Sequence, residues 1–277
     1  MSRPGRAPTA RHPRATLLAA LLTTALAACS PAAAGPPPAT DRAVPPSTES
    51  PAPDLPPLDA RSTAADLQAR LTPLSGTATL PLGSAVTVED LGGSTRTTIT
   101  GDVPDGVLAL VAAPAGGTIE VLEDGSAVVR DAAGTVVAGL AAPTPAPSPD
   151  GVVEPASDAV RLEQAAPDLV RVVGPPRGGA QLWASDSPVV TTTWTEQEGG
   201  RSLAVAPSDW SRVAGQAAAD LVWAHLALVG EEATSSSMHD QLLCHMIGAP
   251  DKETWNLEPW RPDVGFIGVL AAACNPV

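Results

Sequence analysis

Two cysteines near the C-terminus, Cys244 and Cys274, constrain this chain more than any other feature. They bracket a chemically varied stretch containing Trp255, Asn256, Glu258, Trp260, Arg261 and the chain's one lysine, Lys252. A long approach rich in Ala, Val, Thr and Pro precedes it. Bonded together, the two thiols would close everything between them into one loop. The chain-entropy model gives a loop of this size roughly 3–4 kcal/mol of stabilisation. The third cysteine, Cys29, stands apart behind a short apolar run.

Arg3, Arg6, Arg11 and Arg14 make a basic start with no acidic residue, and residues 16–28 are uncharged and largely apolar. That run is shorter than the ~20 residues a membrane-spanning helix needs. Basic start, short apolar run and small residues form the pattern of a secretory signal, here residues 1–28. Leu26-Ala27-Ala28-Cys29 resembles the lipobox of bacterial lipoproteins, in which the cysteine becomes the first mature residue and carries the lipid. The resemblance implies lipidation at Cys29, the membrane as a partner through that lipid, and a place on the outer face of the cell membrane. With Cys29 used in this way two thiols remain, and an exported protein normally pairs them. A free Cys244 acting as a nucleophile beside His245 would leave Cys274 as an odd thiol.

Formal net charge is −14, and removing the four arginines ahead of Cys29 takes it to −18. Such a balance argues against nucleic acid as a partner, because that partner requires a basic footprint. It also argues against electrostatic docking on anionic lipid, so anchoring would rest on acyl chains, of which two or more are needed. Neither an HExxH motif nor a paired-cysteine zinc pattern is present, so no metal or other cofactor is expected.

Residues 29–75 read as a Pro-rich flexible tether, with prolines at 31, 36, 37, 38, 45, 46, 51, 53, 56 and 57. At about 3.1 Å per residue, the stretch from 30 to 57 reaches roughly 80–90 Å. Residues 58–71 carry a weak helical pattern. Residues 76–175 form a β-rich module, with β-branched runs at 79–88, 96–100, 107–111, 118–122, 127–130 and 135–138, then 159–162 and 169–173. Asp124-Gly125 is a hairpin turn, since Gly tolerates positive φ. The Pro175-Pro176-Arg177-Gly178-Gly179 cluster marks the start of a C-terminal domain, residues 176–277.

That domain is predicted to contain strands at 180–185, 189–195 and 202–205 and a helix over 209–229, with Ser208 as N-cap and Gly230 as stop. Trp210, Val213, Ala214, Ala217, Ala218, Leu221, Val222 and His225 fall on one stripe of it. A second helix over 237–247 turns Met238, Leu242, Met246 and Ile247 inward. The fold class is therefore α+β: a β-rich N-terminal module followed by a small disulfide-locked α+β domain.

Ser237-Met238, Gln241, Cys244-His245, the run from Trp255 to Val264 and Cys274-Asn275-Pro276 resemble the domain-of-unknown-function family 2599. That family occurs on exported, mostly actinobacterial, proteins, and the likeness covers about the last 100 residues. It implies a small autonomous domain and brings no established activity with it. Ser237, His239 and Asp240 lie too close together on one helix start to make a catalytic triad, and capping explains them better. His239 and His245, six residues apart, cannot chelate one metal without help from elsewhere in the chain. Gln241 and His245 share a helix face, and with Glu258 and Arg261 they are the candidate site residues. Two functions remain open. One is a surface-tethered binding or envelope-associated module with an unknown envelope or extracellular ligand. The other is a hydrolase-like or toxin-like effector.

Overall fold

Short β-branched runs separated by Gly, Asp and Pro fold into strands. The computed structural model describes residues 55–147, 160–197 and 199–277, so the signal, Cys29 and the first part of the tether lie outside the described residues. In chain order the strands are β1 (Ala78–Pro81), β2 (Ala85–Asp90), β3 (Ser94–Asp102), β4 (Val107–Ala112), β5 (Thr118–Val121), β6 (Ala127–Arg130) and β7 (Val136–Leu140). They continue with β8 (Thr144–Pro145), β9 (Arg161–Ala166), β10 (Leu169–Val173), β11 (Arg177–Ser185), β12 (Val189–Gln197), β13 (Gly200–Pro207) and β14 (Trp255–Leu257). The helices are α1 (Ala64–Arg70), α2 (Gly215–Val229), α3 (Ser236–Gly248) and α4 (Gly265–Ala271). This is the α+β class the sequence predicts.

Two antiparallel sheets face each other. One runs β1-β4-β10-β9; the other runs β2-β3-β11-β7-β6-β5, with β8 beside β11. Ala109 and Val111 of β4 and Val170 and Val172 of β10 share a core with Ile99, Val129, Leu140 and Leu182 of the larger sheet. The outer faces are covered too. Leu110 and Ala112 pack on Ala64 and Leu67 of α1, and Val128 packs on Trp210, Ala217, Ala218 and Leu221. Burial on both faces explains why β4 reads as an unbroken apolar run. The capping box of α1, Thr63 with Asp66, sets the start of that helix.

The C-terminal layer is a β12-β13-β14 sheet. Leu203, Val205, Trp255 and Leu257 meet Val222 and Leu226 of α2 and Met238 and Leu242 of α3.

Several details differ from the sequence reading. The run 79–88 is two strands that serve different sheets, because the chain passes so close to β3 at Gly83 that a Cβ there would lie 2.6 Å from the Thr100 carbonyl. The strand just beyond the Pro175-Pro176 cluster, β11, pairs along its full length with β3, from Arg177 opposite Asp102 to Ser185 opposite Ser94. The predicted helix over 209–229 opens as a 3-10 turn at Trp210–Arg212 and becomes α-helical only at Gly215. The change of path leaves Val213 63% exposed, whereas Trp210 is buried and donates its indole N–H to the Trp183 carbonyl at 3.1 Å. Ile247 is also exposed rather than in the core.

The cap of α2 comes from another part of the chain. Asp124 accepts the Gln216 N–H at 2.7 Å, and the Ser126 hydroxyl accepts that of Ala217 at 3.2 Å. Both lie on the β5–β6 hairpin, so its Asp-Gly turn reverses the chain and also closes the helix end. Gly215 (φ +59°) fits because a side chain there would run into Asp124.

Candidate functional site

Gln241 and His245 stand four apart on α3, about 6 Å along the helix axis. Asn256 and Glu258 stand two apart on and just beyond β14, about 6.6 Å in extended chain. The two spacings match, and the side chains meet the backbone across the gap. The Gln241 amide accepts the Glu258 N–H at 2.9 Å and donates to the Glu258 carbonyl at 3.0 Å. It also donates to the Ser237 carbonyl at 3.1 Å. One turn on, His245 Nε2 contacts the Asn256 carbonyl at 3.1 Å.

The geometry has a structural cause. β14 pairs on one side with β13, Trp255 opposite Val205 and Leu257 opposite Leu203. Alternate backbone groups of a strand point to opposite edges, so those of Asn256 and Glu258 face away from β13. Unpaired and buried, they would each cost about 1–3 kcal/mol. Gln241 and His245 occupy the place a fourth strand would take. Trp255 and Leu257, alternating with them, are wholly buried, and the Trp255 indole donates to the Ala249 carbonyl at 3.2 Å.

Glu258 and Arg261 extend the same connection. Arg261 Nε is ion-paired with Glu258, their side chains only 12% and 10% exposed. Its Nη1 donates to the Pro276 carbonyl at 2.9 Å, tying the loop to the last residues. The guanidinium also stacks 4.6 Å from the Trp260 ring, which lies over Gly199 and Gly200. Beside this cluster Cys244 is bonded to Cys274. Asp263, two residues beyond Arg261, accepts from the Ser236 hydroxyl at 2.6 Å. Capping of α3 by its own side chains is also absent; the N-cap residue, Ser235, makes no side-chain cap bond. His239 packs edge-on against Trp223, ring centroids 4.7 Å apart.

All four candidates thus converge, but as a closed cluster. Gln241 is fully buried, His245 is 3% exposed and Glu258 is 8% exposed. A carbonyl only accepts, so His245 Nε2 carries the proton and Nδ1 is left as a bare, buried nitrogen without a partner. Burial lowers the His245 pKa below its ordinary value; the bond to Asn256 and the charge of Glu258 oppose this, and Lys252 adds to it. No group of three or more His, Cys, Asp or Glu suited to a metal occurs among the described residues. The sequence did not point to Asn256, Glu258 or Pro276 as backbone partners, since a carbonyl or amide leaves no residue signature.

A pH dependence follows. With its folded pKa lowered, His245 takes up a proton more readily in the unfolded chain. Its contribution is fully present above the unfolded value of about 6.5 and is lost as pH falls through the folded value. Urea midpoints at pH 7 and pH 5 are expected to differ more for the native chain than for His245→Gln, whose amide nitrogen can still reach Asn256. Equal pH slopes for the two proteins would contradict this.

Residues 189–277 match the family model described as "Protein of unknown function (DUF2599)". All four candidates and both half-cystines lie inside that span. Uncharacterized proteins of Mycobacterium bovis and Mycobacterium tuberculosis are each 42% identical over 93 residues, covering 31% of this chain and 63% of each relative. An uncharacterized protein of Mycobacterium leprae is 38% identical over 64 residues, 22% of this chain and 52% of its own. The family match lies in the C-terminal part of the chain, and the chain spans less than two thirds of these relatives' length. No solved structure matches the chain at a significant level.

Proposed function

We propose that this is a lipid-anchored extracytoplasmic binding module whose C-terminal polar motif is a structural clasp and not a catalytic centre. The observation that carries the reading is the pairing of Gln241 and His245 with the free edge of β14. Both polar atoms of the Gln241 amide are spent on backbone. A hydrolase needs its acid, base and stabilising groups facing a space the substrate can enter; here the would-be base, His245 Nδ1, is walled in by protein.

Export is supported by the Cys244–Cys274 disulfide, a bond that persists in oxidising compartments. Among the described residues no helix is long and apolar enough to cross a membrane. In this reading membrane attachment falls to Cys29, and the folded part already includes α1, whose Ala64 and Leu67 pack on the smaller sheet. Cys29→Ala is expected to move the protein from the membrane fraction to the soluble fraction, or to stall its processing. Correct cleavage with unchanged membrane retention would sink the anchor.

A further inference from the structure

We propose that the groove between α2 and α3 binds a single-chain amphiphile with a carboxylate head, an assignment that rests on the reading of the protein as a binding module. The groove measures about 320 Å³, within the ~300–1,000 Å³ usual for small-molecule sites. Leu243, Met246 and Ile247 line it from α3 and Ala219 from α2. Positions 243, 246 and 247 are three and four apart, so they form one stripe along the helix. The neighbouring face of α3 is spent on the core and the clasp: Met238, Leu242, Gln241 and His245 are buried. Of the three groove residues, Met246 is partly buried against the core, Leu243 is half-buried, and Ile247 is 68% exposed, so the groove side of α3 stays partly open.

Arg212 also lines the groove and supplies the charge. Its Nη1 donates to the Lys252 carbonyl at 2.7 Å and to that of Pro250, which holds the side chain in place. Carbonyls fix a guanidinium without neutralising it. Its carboxylate neighbour is Asp209, 4.0 Å from Nε and 93% exposed, while the Arg212 side chain is only 20% exposed. Its Nη2 makes none of these contacts. The carboxylate of Asp124, at the same end of α2, is committed to the N–H groups of Gln216 and Ser126. A fixed, largely desolvated guanidinium is complementary to a carboxylate, which it can grip through two N–H groups. An acyl chain then covers the apolar stripe, whose removal from water drives binding. A cationic head on the same chain gains the apolar contact and is repelled by Arg212.

The test uses the full chain carrying Cys29→Ser, which removes the proposed acylation site and with it the need for detergent. Dodecanoate and dodecyltrimethylammonium are titrated by calorimetry below their micelle-forming concentrations. Dodecanoate is expected to bind saturably at one per chain, and the cation about tenfold more weakly or worse. Arg212→Gln should weaken dodecanoate binding by a similar factor. Ile247→Asp, at an exposed position that folding does not depend on, should do the same even if Arg212→Gln fails to fold. Leu228→Asp, exposed elsewhere on α2, should leave binding unchanged. No saturable binding, equal affinity for the two heads, or undiminished binding by Ile247→Asp would each overturn the proposal. The Cys29 fractionation is independent of all of these, so anchor and ligand can fail separately.

Discussion

Arg261→Ala is expected to lower the unfolding free energy by about 3–5 kcal/mol, the usual cost of deleting one partner of a buried ion pair. Glu258 would be left as a carboxylate with 10% of its side chain exposed and no cation beside it. The loss does not stop at one charge. Arg261 also holds the Pro276 carbonyl and covers the Trp260 ring, so the loop and the C-terminus come free together. Replacing both partners, Glu258→Gln with Arg261→Met, should cost clearly less than the sum of the single changes, because neither leaves the other charged and alone. Denaturant unfolding at neutral pH reads both. A single-variant loss below about 1 kcal/mol is what an exposed pair would give, and it would refute the clasp.

Removing the disulfide is expected to be almost as costly. The double change Cys244→Ala with Cys274→Ala should destabilise by roughly 3–4 kcal/mol in the chain-entropy model, for a sequence separation of 30 residues. The reason for expecting the full effect lies in how little else holds α4. Between Val264 and Val277 there is no charged side chain. The core under α4 consists of Val269 and the two cysteines, with Phe266 partly buried against them. Without the bond α4 has one buried aliphatic side chain to keep it in place, and a seven-residue helix does not persist alone. Hydrogen exchange should show residues 265–274 losing protection first while β13 and α2 keep theirs. Uniform protection across both regions would contradict the assignment of α4 to the disulfide.

Much of the fold was legible because its signals are local. The Asp124-Gly125 turn, the helix from Ser236 to Gly248 and the pairing of two leftover cysteines each follow from residue type and spacing. Other features depend on what approaches from elsewhere in the chain. Gly83 breaks the run 79–88 because β3 lies against it, and Asp124 caps α2 from 92 positions away. The sequence placed a boundary at Pro175-Pro176, yet hydrogen bonding carries the larger sheet through β11 beyond it. The candidate site shows the same division. Gln241 and His245 were visible as one helix face with Glu258 and Arg261 downstream. Their role was not, because their partners are the amide and carbonyl of Glu258 and the carbonyl of Asn256.

Whether the polar motif is closed to solvent can be read from the reactivity of His245 toward diethyl pyrocarbonate in the native protein. That reagent modifies neutral imidazole, the main form of an ordinary histidine above its usual pKa of about 6.5, so labelling at about pH 7.5 is not masked by protonation. His225 and His239, both only partly buried, are the internal references. Peptide mass mapping is expected to find both references labelled while His245 is modified only as fast as the domain unfolds. Labelling of His245 at the rate of the other two, in a protein that remains folded, would show an open site and contradict that expectation.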